Sequence, residues 1–175
     1  LVGSEMCIRD RSTTLDGNTI KDWLQFDEKG QLIWDDNSFQ QHVAEYVAQL
    51  AATYDTVGTE REFQTTSGRT VYVSSSVYGW KIDQAKETAA LVSLIKNGEQ
   101  TSREPEYSQK AASHGANDYG DTYVEINLTG QHLFFYKEGK LVVESDFVSG
   151  NLAKGWGTPA GSYPLAYKQK NAVLK

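Results

Sequence analysis

The stretch from Tyr123 to Val148 constrains the fold more than any other part of the chain. Apolar side chains occupy every second position from Val124 to Leu128, the period-two pattern of a strand with one buried face. Leu133 to Tyr136 and Leu141 to Val148 read as two further strands, and Glu138-Gly139 lies where a two-residue hairpin turn belongs. Three short strands at this spacing predict a β-meander within a sandwich or barrel.

Composition excludes several other classes of protein. The 175 residues carry 17 basic and 23 acidic side chains, a net charge of -6, which argues against the basic stripe of a nucleic-acid-binding protein. A hydrophobic share of 39% with 11% aromatic residues is typical of a globular protein rather than a disordered one. The sequence contains no apolar run of about 18 residues, the minimum for a membrane-spanning helix.

Residues 12–98 predict a compact α+β domain. After a short amphipathic turn and a short strand at Leu32 to Trp34, a helix is expected from Phe39 to about Tyr54, and a second helix from Asp83 to Asn97. Between them, Ser67-Gly68 predicts a hairpin. Gly98 follows the second helix at the position preferred by C-caps. The apolar stripes expected to face the core are Phe39, Val43, Val47, Leu50 and Tyr54 in the first helix and Ala85, Thr88, Leu91, Val92 and Ile95 in the second.

Residues 1–11 have a different origin in our interpretation. Their letters match one reading frame of a common transposase-based sequencing adapter, so we interpret Leu1 to Arg11 as a translated library artefact. Cys7 is the only cysteine and Met6 the only methionine of the chain. The remainder would then contain no cysteine, and we expect it to be an internal fragment of a longer protein.

Residues 99–121 are polar and small, contain Pro105 and lack apolar periodicity, so they predict a linker. Residues 122–175 then form the β-rich part. Within that part, Thr158-Pro159 is surrounded by glycines that permit tight bends, while proline pushes the preceding residue to an extended conformation. A shaped loop is therefore expected, followed by an edge strand or bulge at Pro164 and the start of another element at 171–175.

The order of short motifs in residues 122–175 resembles the opening of the catalytic domain of L,D-transpeptidases, cysteine enzymes that cross-link bacterial peptidoglycan. The matching features are Tyr123-Val124-Glu125-Ile126, Gln131, Tyr136 before the hairpin turn, Val148-Ser149-Gly150-Asn151 and Gly157-Thr158-Pro159-Ala160-Gly161. Ser149 and Ala160 replace threonines that are more usual in the family, and both keep a small residue. The resemblance implies an all-β, sandwich-like catalytic domain of which only the first strands are present.

The N-terminal half carries a second resemblance. Arg61 to Gly68 followed by Tyr78-Gly79-Trp80 resembles the peptidoglycan-binding domain that precedes the catalytic domain in Gram-positive L,D-transpeptidases. Tyr78 and Trp80 could stack on the sugar rings of the cell wall. They could equally be core aromatics that hold the hairpin to the helix, and the sequence leaves both interpretations open.

The family's chemistry implies the site. A cysteine thiolate paired with a histidine attacks the stem-peptide carbonyl, and an amine from a neighbouring stem resolves the acyl-enzyme. These catalytic residues are expected beyond Lys175, so this fragment should be inactive alone. The expected substrate-binding residues within it form a cleft loop of Gly150, Asn151, Thr158, Pro159 and Gly161. No metal or cofactor is implied. The implied partners are peptidoglycan stem peptides and glycan at the extracellular face of the envelope, with membrane attachment only through an anchor outside this fragment.

One motif is a false lead. Ser113-His114-Gly115-Ala116 resembles the Ser-His-Gly-Cys segment that holds the family's nucleophile, with alanine replacing the cysteine. That segment follows several further strands in the family, whereas His114 precedes the first one, so we interpret the match as coincidence.

Three functions remain open on the sequence. The chain is a fragment of an L,D-transpeptidase, a non-catalytic envelope-binding protein that keeps the sandwich as a scaffold, or a β-rich surface module such as an adhesin. Sequence beyond Lys175 separates them, because only the first predicts a Ser-His-Gly-Cys motif there.

Overall fold

The computed structural model describes residues 4–8, 11–75, 77–115 and 117–170. They divide into two compact units: unit 1 is formed within Leu1–Thr56 and Gly79–Asp118, and unit 2 within Val57–Tyr78 and Tyr119–Lys175. In chain order the elements are β1 (Ser4–Ile8), β2 (Arg11–Leu15), α1 (Gly17–Asp22), β3 (Gln25–Phe26), β4 (Leu32–Ile33), α2 (Asp36–Tyr54), β5 (Glu60–Gln64), β6 (Thr70–Ser74), β7 (Lys81–Ile82), α3 (Gln84–Asn97), β8 (Ser102–Arg103), β9 (Tyr107–Gln109), β10 (Tyr123–Asn127), β11 (His132–Lys137), β12 (Lys140–Asp146) and a short 3-10 helix, Leu152–Lys154.

Unit 1 is built around the pair of helices α2 and α3. β1 lies between β2, to which it is antiparallel, and β8, to which it is parallel, while β3 pairs with β4 and β7 with β9. In the core, the apolar stripe of α2 packs against α3 and the strands. The buried members of this core are Met6, Leu15, Ile20, Phe39, Val43, Val47, Leu50, Ala51, Ile82 and Leu91. The stripe predicted for α2 is confirmed in four of its five residues, since Tyr54 is partly buried at the edge of this core.

An aspartate caps the start of each of these two helices, and a glycine ends α3. Asp35 caps α2 by accepting hydrogen bonds from the N–H groups of Asn37 and Ser38, so the helix begins at Asp36, three residues before the predicted start at Phe39. Asp83 caps α3 and Gly98 ends it with a φ of 66°, which confirms both predicted boundaries.

Unit 2 contains the predicted meander. β10, β11 and β12 form an antiparallel sheet in that order, and Lys137 pairs with Lys140 across the turn. Glu138 and Gly139 both have positive φ (51° and 73°), the requirement of a type I′ two-residue turn. The predicted hairpin also forms, with β5 antiparallel to β6. Whether the meander is part of a sandwich stays a prediction.

The expectation that β10 buries its apolar side chains is wrong for the described residues. Val124 and Ile126 are 52% and 54% exposed, whereas Tyr123 and Glu125, on the other face, are half-buried. The covered face is the other one, because the β5–β6 hairpin packs there: Phe63 packs edge-on against Tyr123, and Thr66 donates its N–H and its hydroxyl to Glu125 at 2.8 and 2.6 Å.

Register places five apolar side chains together on the exposed side of the sheet. Val124 is opposite Phe135, which is opposite Val143, and Ile126 is opposite Leu133. We call this set the apolar face.

The segment expected to be a linker contributes strands β8 and β9 to unit 1, and the hairpin expected in the N-terminal domain lies in unit 2. The polar composition of this segment did not predict strands β8 and β9. One of its polar side chains, Arg103, bonds to a buried carboxylate rather than to solvent. Its guanidinium donates to both oxygens of Glu87, at 2.8 and 3.0 Å, and Glu87 is fully buried. The domain division at 12–98, 99–121 and 122–175 stays a prediction.

The segment interpreted as adapter sequence is partly described. β1 pairs with its two neighbouring strands, and the Met6 side chain is fully buried in the core of unit 1. Strand formation does not depend on the origin of the residues, so the adapter interpretation stays a prediction. The Cys7 side chain lies outside the described part, as do Ala116 and the element predicted at 171–175.

Candidate functional site

The predicted cleft loop is a closed turn held by its own polar groups. The Gly150 N–H donates to the Thr158 hydroxyl at 3.1 Å, and the Trp156 N–H donates to the carbonyl of Asn151 at 3.0 Å. Asn151 also caps the 3-10 helix by accepting from the Lys154 N–H. The structure thus brings Gly150, Asn151 and Thr158 together, as a shared site would require.

Gly150 is required by a close backbone approach. A Cβ at this position would lie 1.8 Å from the carbonyl oxygen of Trp156, far inside any allowed contact. A side chain here would therefore open the loop. The glycine in the Val-Ser-Gly-Asn motif has a physical reason of its own, independent of any family resemblance.

Gly161 joins the loop to the β5–β6 hairpin. Its φ is 149°, and a Cβ would lie 3.2 Å from the carbonyl oxygen of Ser74. The Ser162 N–H donates to that same carbonyl at 3.2 Å, and the Ser75 hydroxyl donates to the carbonyl of Ser162 at 2.5 Å. Ser75 is buried and also accepts from the N–H groups of Val77 and Tyr78. The hairpin end and the loop are therefore one connected structure.

Sequence analysis matched Gln131 to the family but gave it no role in the site. It precedes β11 with a φ of 51°, and its side-chain amide donates to Ser149 Oγ at 2.8 Å while accepting from the Ser149 N–H at 2.7 Å. Gln131 thereby fixes the residue that leads into Gly150. Its place after Thr129-Gly130 was the available signal, since a polar residue after glycine in a turn often adopts positive φ.

Tyr78 and Trp80 lie in different units. Trp80 is only 3% exposed: it stacks on His114, with ring centroids 4.0 Å apart, and its indole N–H donates to the Ser113 carbonyl at 2.7 Å. Trp80 is therefore packed as a core aromatic of unit 1, and its part in wall binding stays a prediction. Tyr78 lies in unit 2, half-buried beneath the Arg61 guanidinium. The Ser113-His114-Gly115 motif accordingly has a packing role in unit 1.

One histidine of unit 2, His132, lies beside two carboxylates. His132 Nδ1 lies 2.6 Å from Asp146 across the β11–β12 pair, and Nε2 lies 3.5 Å from Glu144. The hydrogen bond with Asp146, with the charge of both carboxylates, raises the pKa of His132 above 6.5. Within the described residues the polar partners of His132 are these two carboxylates, so the structure assigns it an ion pair rather than a catalytic dyad.

The described residues contain no cluster of three or more histidine, cysteine or acidic side chains that could hold a metal ion. Nor does any helix among them combine the length and apolar character needed to cross a membrane.

Comparisons with known proteins agree on one family. Residues 40–103 match the family model described as "Putative peptidoglycan binding domain". A cysteine-to-serine variant of the Enterococcus faecium L,D-transpeptidase is 30% identical with a TM-score of 0.67, and the match covers 91% of this chain and 61% of that one. The structure described as the Ldtfm–avibactam carbamoyl enzyme matches equally, with 30% identity, a TM-score of 0.67 and coverage of 91% and 60%. No curated protein sequence is significantly similar to the chain.

The chain spans about 60% of the length of each of these solved structures. The likeness covers both units, and at this identity it extends beyond fold alone. Together with the family model in residues 40–103, it supports an L,D-transpeptidase with a peptidoglycan-binding domain.

Proposed function

We propose that the chain is part of a peptidoglycan L,D-transpeptidase, in which unit 1 binds the cell wall and unit 2 supplies the first part of the catalytic domain. One observation carries the proposal: a match of 30% identity over 91% of the chain to an L,D-transpeptidase, which spans both units. The reaction is cysteine acyl transfer, in which a thiolate attacks a stem-peptide carbonyl and a neighbouring stem amine releases the cross-linked product. The proposal places that cysteine and its histidine beyond Lys175.

The chain's own contribution to this reaction is the shape of the cleft loop. Substrate-binding residues act by holding a reacting group in place, and a misplacement of about 1 Å can cost roughly 100-fold in rate. The Gly150–Thr158 hydrogen bond, the Asn151 cap and the Gly161–Ser74 contact fix the loop in one conformation. We infer that this loop forms one wall of the stem-peptide cleft.

Partners and location follow from the same proposal. The protein acts on peptidoglycan, its stem peptides and its glycan, at the extracellular face of the cell envelope. Attachment to the membrane, where present, comes from an anchor outside residues 1–175.

The decisive experiment uses the complete gene product. The locus is recovered with long reads, the full protein is expressed, and muropeptide donor and acceptor are incubated with it before mass spectrometry of the products. Cross-linked dimers are expected, with none from residues 1–175 alone. A full-length protein that binds purified sacculi without cross-linking would instead be a non-catalytic wall-binding protein. One that does neither would be a surface module.

A matched pair of variants tests the loop in that same assay. Thr158→Val keeps the side-chain shape but removes the acceptor of the Gly150 N–H, whereas Thr158→Ser keeps the hydroxyl. We expect the valine variant to lose about tenfold or more in turnover and the serine variant to stay close to the parent. Equal turnover in both variants would exclude this loop from the cleft.

A further inference from the structure

An open groove of about 490 Å³ in unit 1 lies between α2 and α3. Its apolar lining comes from α3, where Ala85, Ala89 and Val92 recur at helical spacing. Sequence periodicity assigned Ala85 and Val92 to the buried stripe of this helix. The structure leaves Ala85 exposed and Val92 only partly buried, because Leu91 and Glu87 fill the core instead. Part of the helix stripe is therefore uncovered and open to a ligand.

Polar groups of the groove lining are available for hydrogen bonds. The Gln40 amide and the Ser93 hydroxyl make no side-chain hydrogen bond to any described residue. An amide offers two donors and two acceptor lone pairs, and a hydroxyl offers one donor and two acceptor lone pairs. Such groups recognise uncharged hydroxyl and amide groups of a ligand.

The charge of the lining is already compensated. Lys96 is the only ionisable side chain in it, and its ammonium lies 2.5 Å from Asp36 and 5.5 Å from the centre of the Trp34 ring. A ligand carboxylate, such as the free end of a stem peptide, would need an unpaired cation. The lining therefore favours an uncharged ligand.

We propose that this groove binds the glycan strand of peptidoglycan through an N-acetylated sugar. The amide and hydroxyl of Gln40 and Ser93 match the acetamido and hydroxyl groups of the sugar, and the alanines leave room for its acetyl methyl. The volume lies within the range of roughly 300–1,000 Å³ that is usual for small-ligand sites. Every lining residue falls within residues 40–103, the segment matched by the peptidoglycan-binding family model. The inference rests on the proposed function and assigns its wall-binding site.

The test uses the full chain and two soluble probes. Tetra-N-acetylchitotetraose supplies N-acetylated sugars, and cellotetraose has the same β-1,4 backbone without acetamido groups. Calorimetric titration should give binding of the first probe at least tenfold tighter than that of the second. Binding should also shift the side-chain amide signals of Gln40 in nitrogen-15 spectra.

Two pairs of variants locate the binding site. Ala89→Leu fills the groove on an exposed helical position, and Ala52→Leu makes the same change on an exposed position of α2 outside it. Gln40→Ala is matched by Gln49→Ala in the same way. We expect Ala89→Leu and Gln40→Ala to weaken binding of the acetylated probe at least tenfold, and their controls to leave it unchanged. Unchanged binding by Ala89→Leu, or equal binding of both probes, would overturn the proposal.

Pull-down on purified sacculi separates this proposal from the broader one. If the parent and Ala89→Leu chains both bind sacculi, wall binding stands and the groove is not its site. If neither the parent chain nor its variants bind sacculi, the wall-binding function of unit 1 fails together with the groove.

Discussion

The two units use apolar side chains in opposite ways. Unit 1 buries Met6, Phe39 and Leu91 almost completely in one core, whereas the apolar face of unit 2 leaves Val124, Ile126 and Val143 about half exposed. Their polar pairs differ likewise: Glu87 and Arg103 form a buried ion pair in unit 1, and His132 and Asp146 form an exposed one in unit 2. Secondary structure is equally regular in both. The comparison teaches that strand and helix formation does not by itself produce a core.

Matched leucine truncations should give the largest difference between the units. Leu91→Ala removes a fully buried side chain and should lower the free energy of unfolding by roughly 2–5 kcal/mol. Leu141→Ala, at a side chain 47% exposed, should cost about 1 kcal/mol or less. Urea unfolding followed by tryptophan fluorescence reports on unit 1, which contains Trp23, Trp34 and Trp80, and amide hydrogen exchange of β12 reports on unit 2. Equal costs would mean that the Leu141 side chain is covered in solution.

Removal of the cation from the buried pair should have the next largest effect. Arg103→Met leaves the Glu87 carboxylate buried with only the Glu106 N–H, at 2.7 Å, as a hydrogen-bond donor. Because Arg103 is 22% exposed, the cost should be about 2–3 kcal/mol, below that of a fully dry pair. The exposed Lys110–Glu104 pair is the control, and Lys110→Met should cost below about 1 kcal/mol.

A double variant sharpens that result. Replacement of both Glu87 and Arg103 by methionine removes the unpaired charge and should recover much of the lost stability. If the double variant is no more stable than Arg103→Met alone, the segment after α3 is held by packing rather than by this ion pair.

The cleft loop of unit 2 should respond to one methyl group. Gly150→Ala forces the Trp156 carbonyl to move, at a local cost of roughly 1–3 kcal/mol. The amide at position 150 should then exchange faster with solvent, because its bond to Thr158 is lost. Gly157→Ala serves as the control, since its Cβ would meet only the flexible Leu152 side chain. Similar exchange rates in both variants would contradict a closed loop.

The exposed pair of unit 2 should produce the smallest effect, visible as a pH dependence. The pKa of His132 is raised, mainly by the hydrogen bond with Asp146. A raised folded-state pKa contributes stability below the unfolded value of about 6.5, and this contribution is lost as pH rises through the folded pKa. An NMR titration should give a His132 pKa above 6.5 that falls in Asp146→Asn. The same pKa in both proteins would show that the pair does not form in solution.

Local patterns predicted the two long helices of unit 1 and the strands β5, β6, β10, β11 and β12 of unit 2. The boundaries of α3, the β5–β6 hairpin and the Glu138-Gly139 turn follow from caps, glycine and period-two alternation, all of which are encoded within a few residues. The cleft loop was predicted in part, because Gly150, Asn151 and Thr158 belong to the two short family motifs and meet in the structure. Gln131 received no role, since its bonds to Ser149 cross 18 positions of sequence.

The sequence by itself determined where the two long helices, the two hairpins and the meander form, and it indicated the family through short motifs in a fixed order. Tertiary structure decided burial wherever the partners are distant in sequence. Trp80 is enclosed by His114 and Tyr107, Glu87 is buried because Arg103 reaches it, and the hairpin covers the face of β10 that carries Tyr123 and Glu125. Burial depends on partners distant in sequence, whereas caps, turns and alternation depend on neighbours.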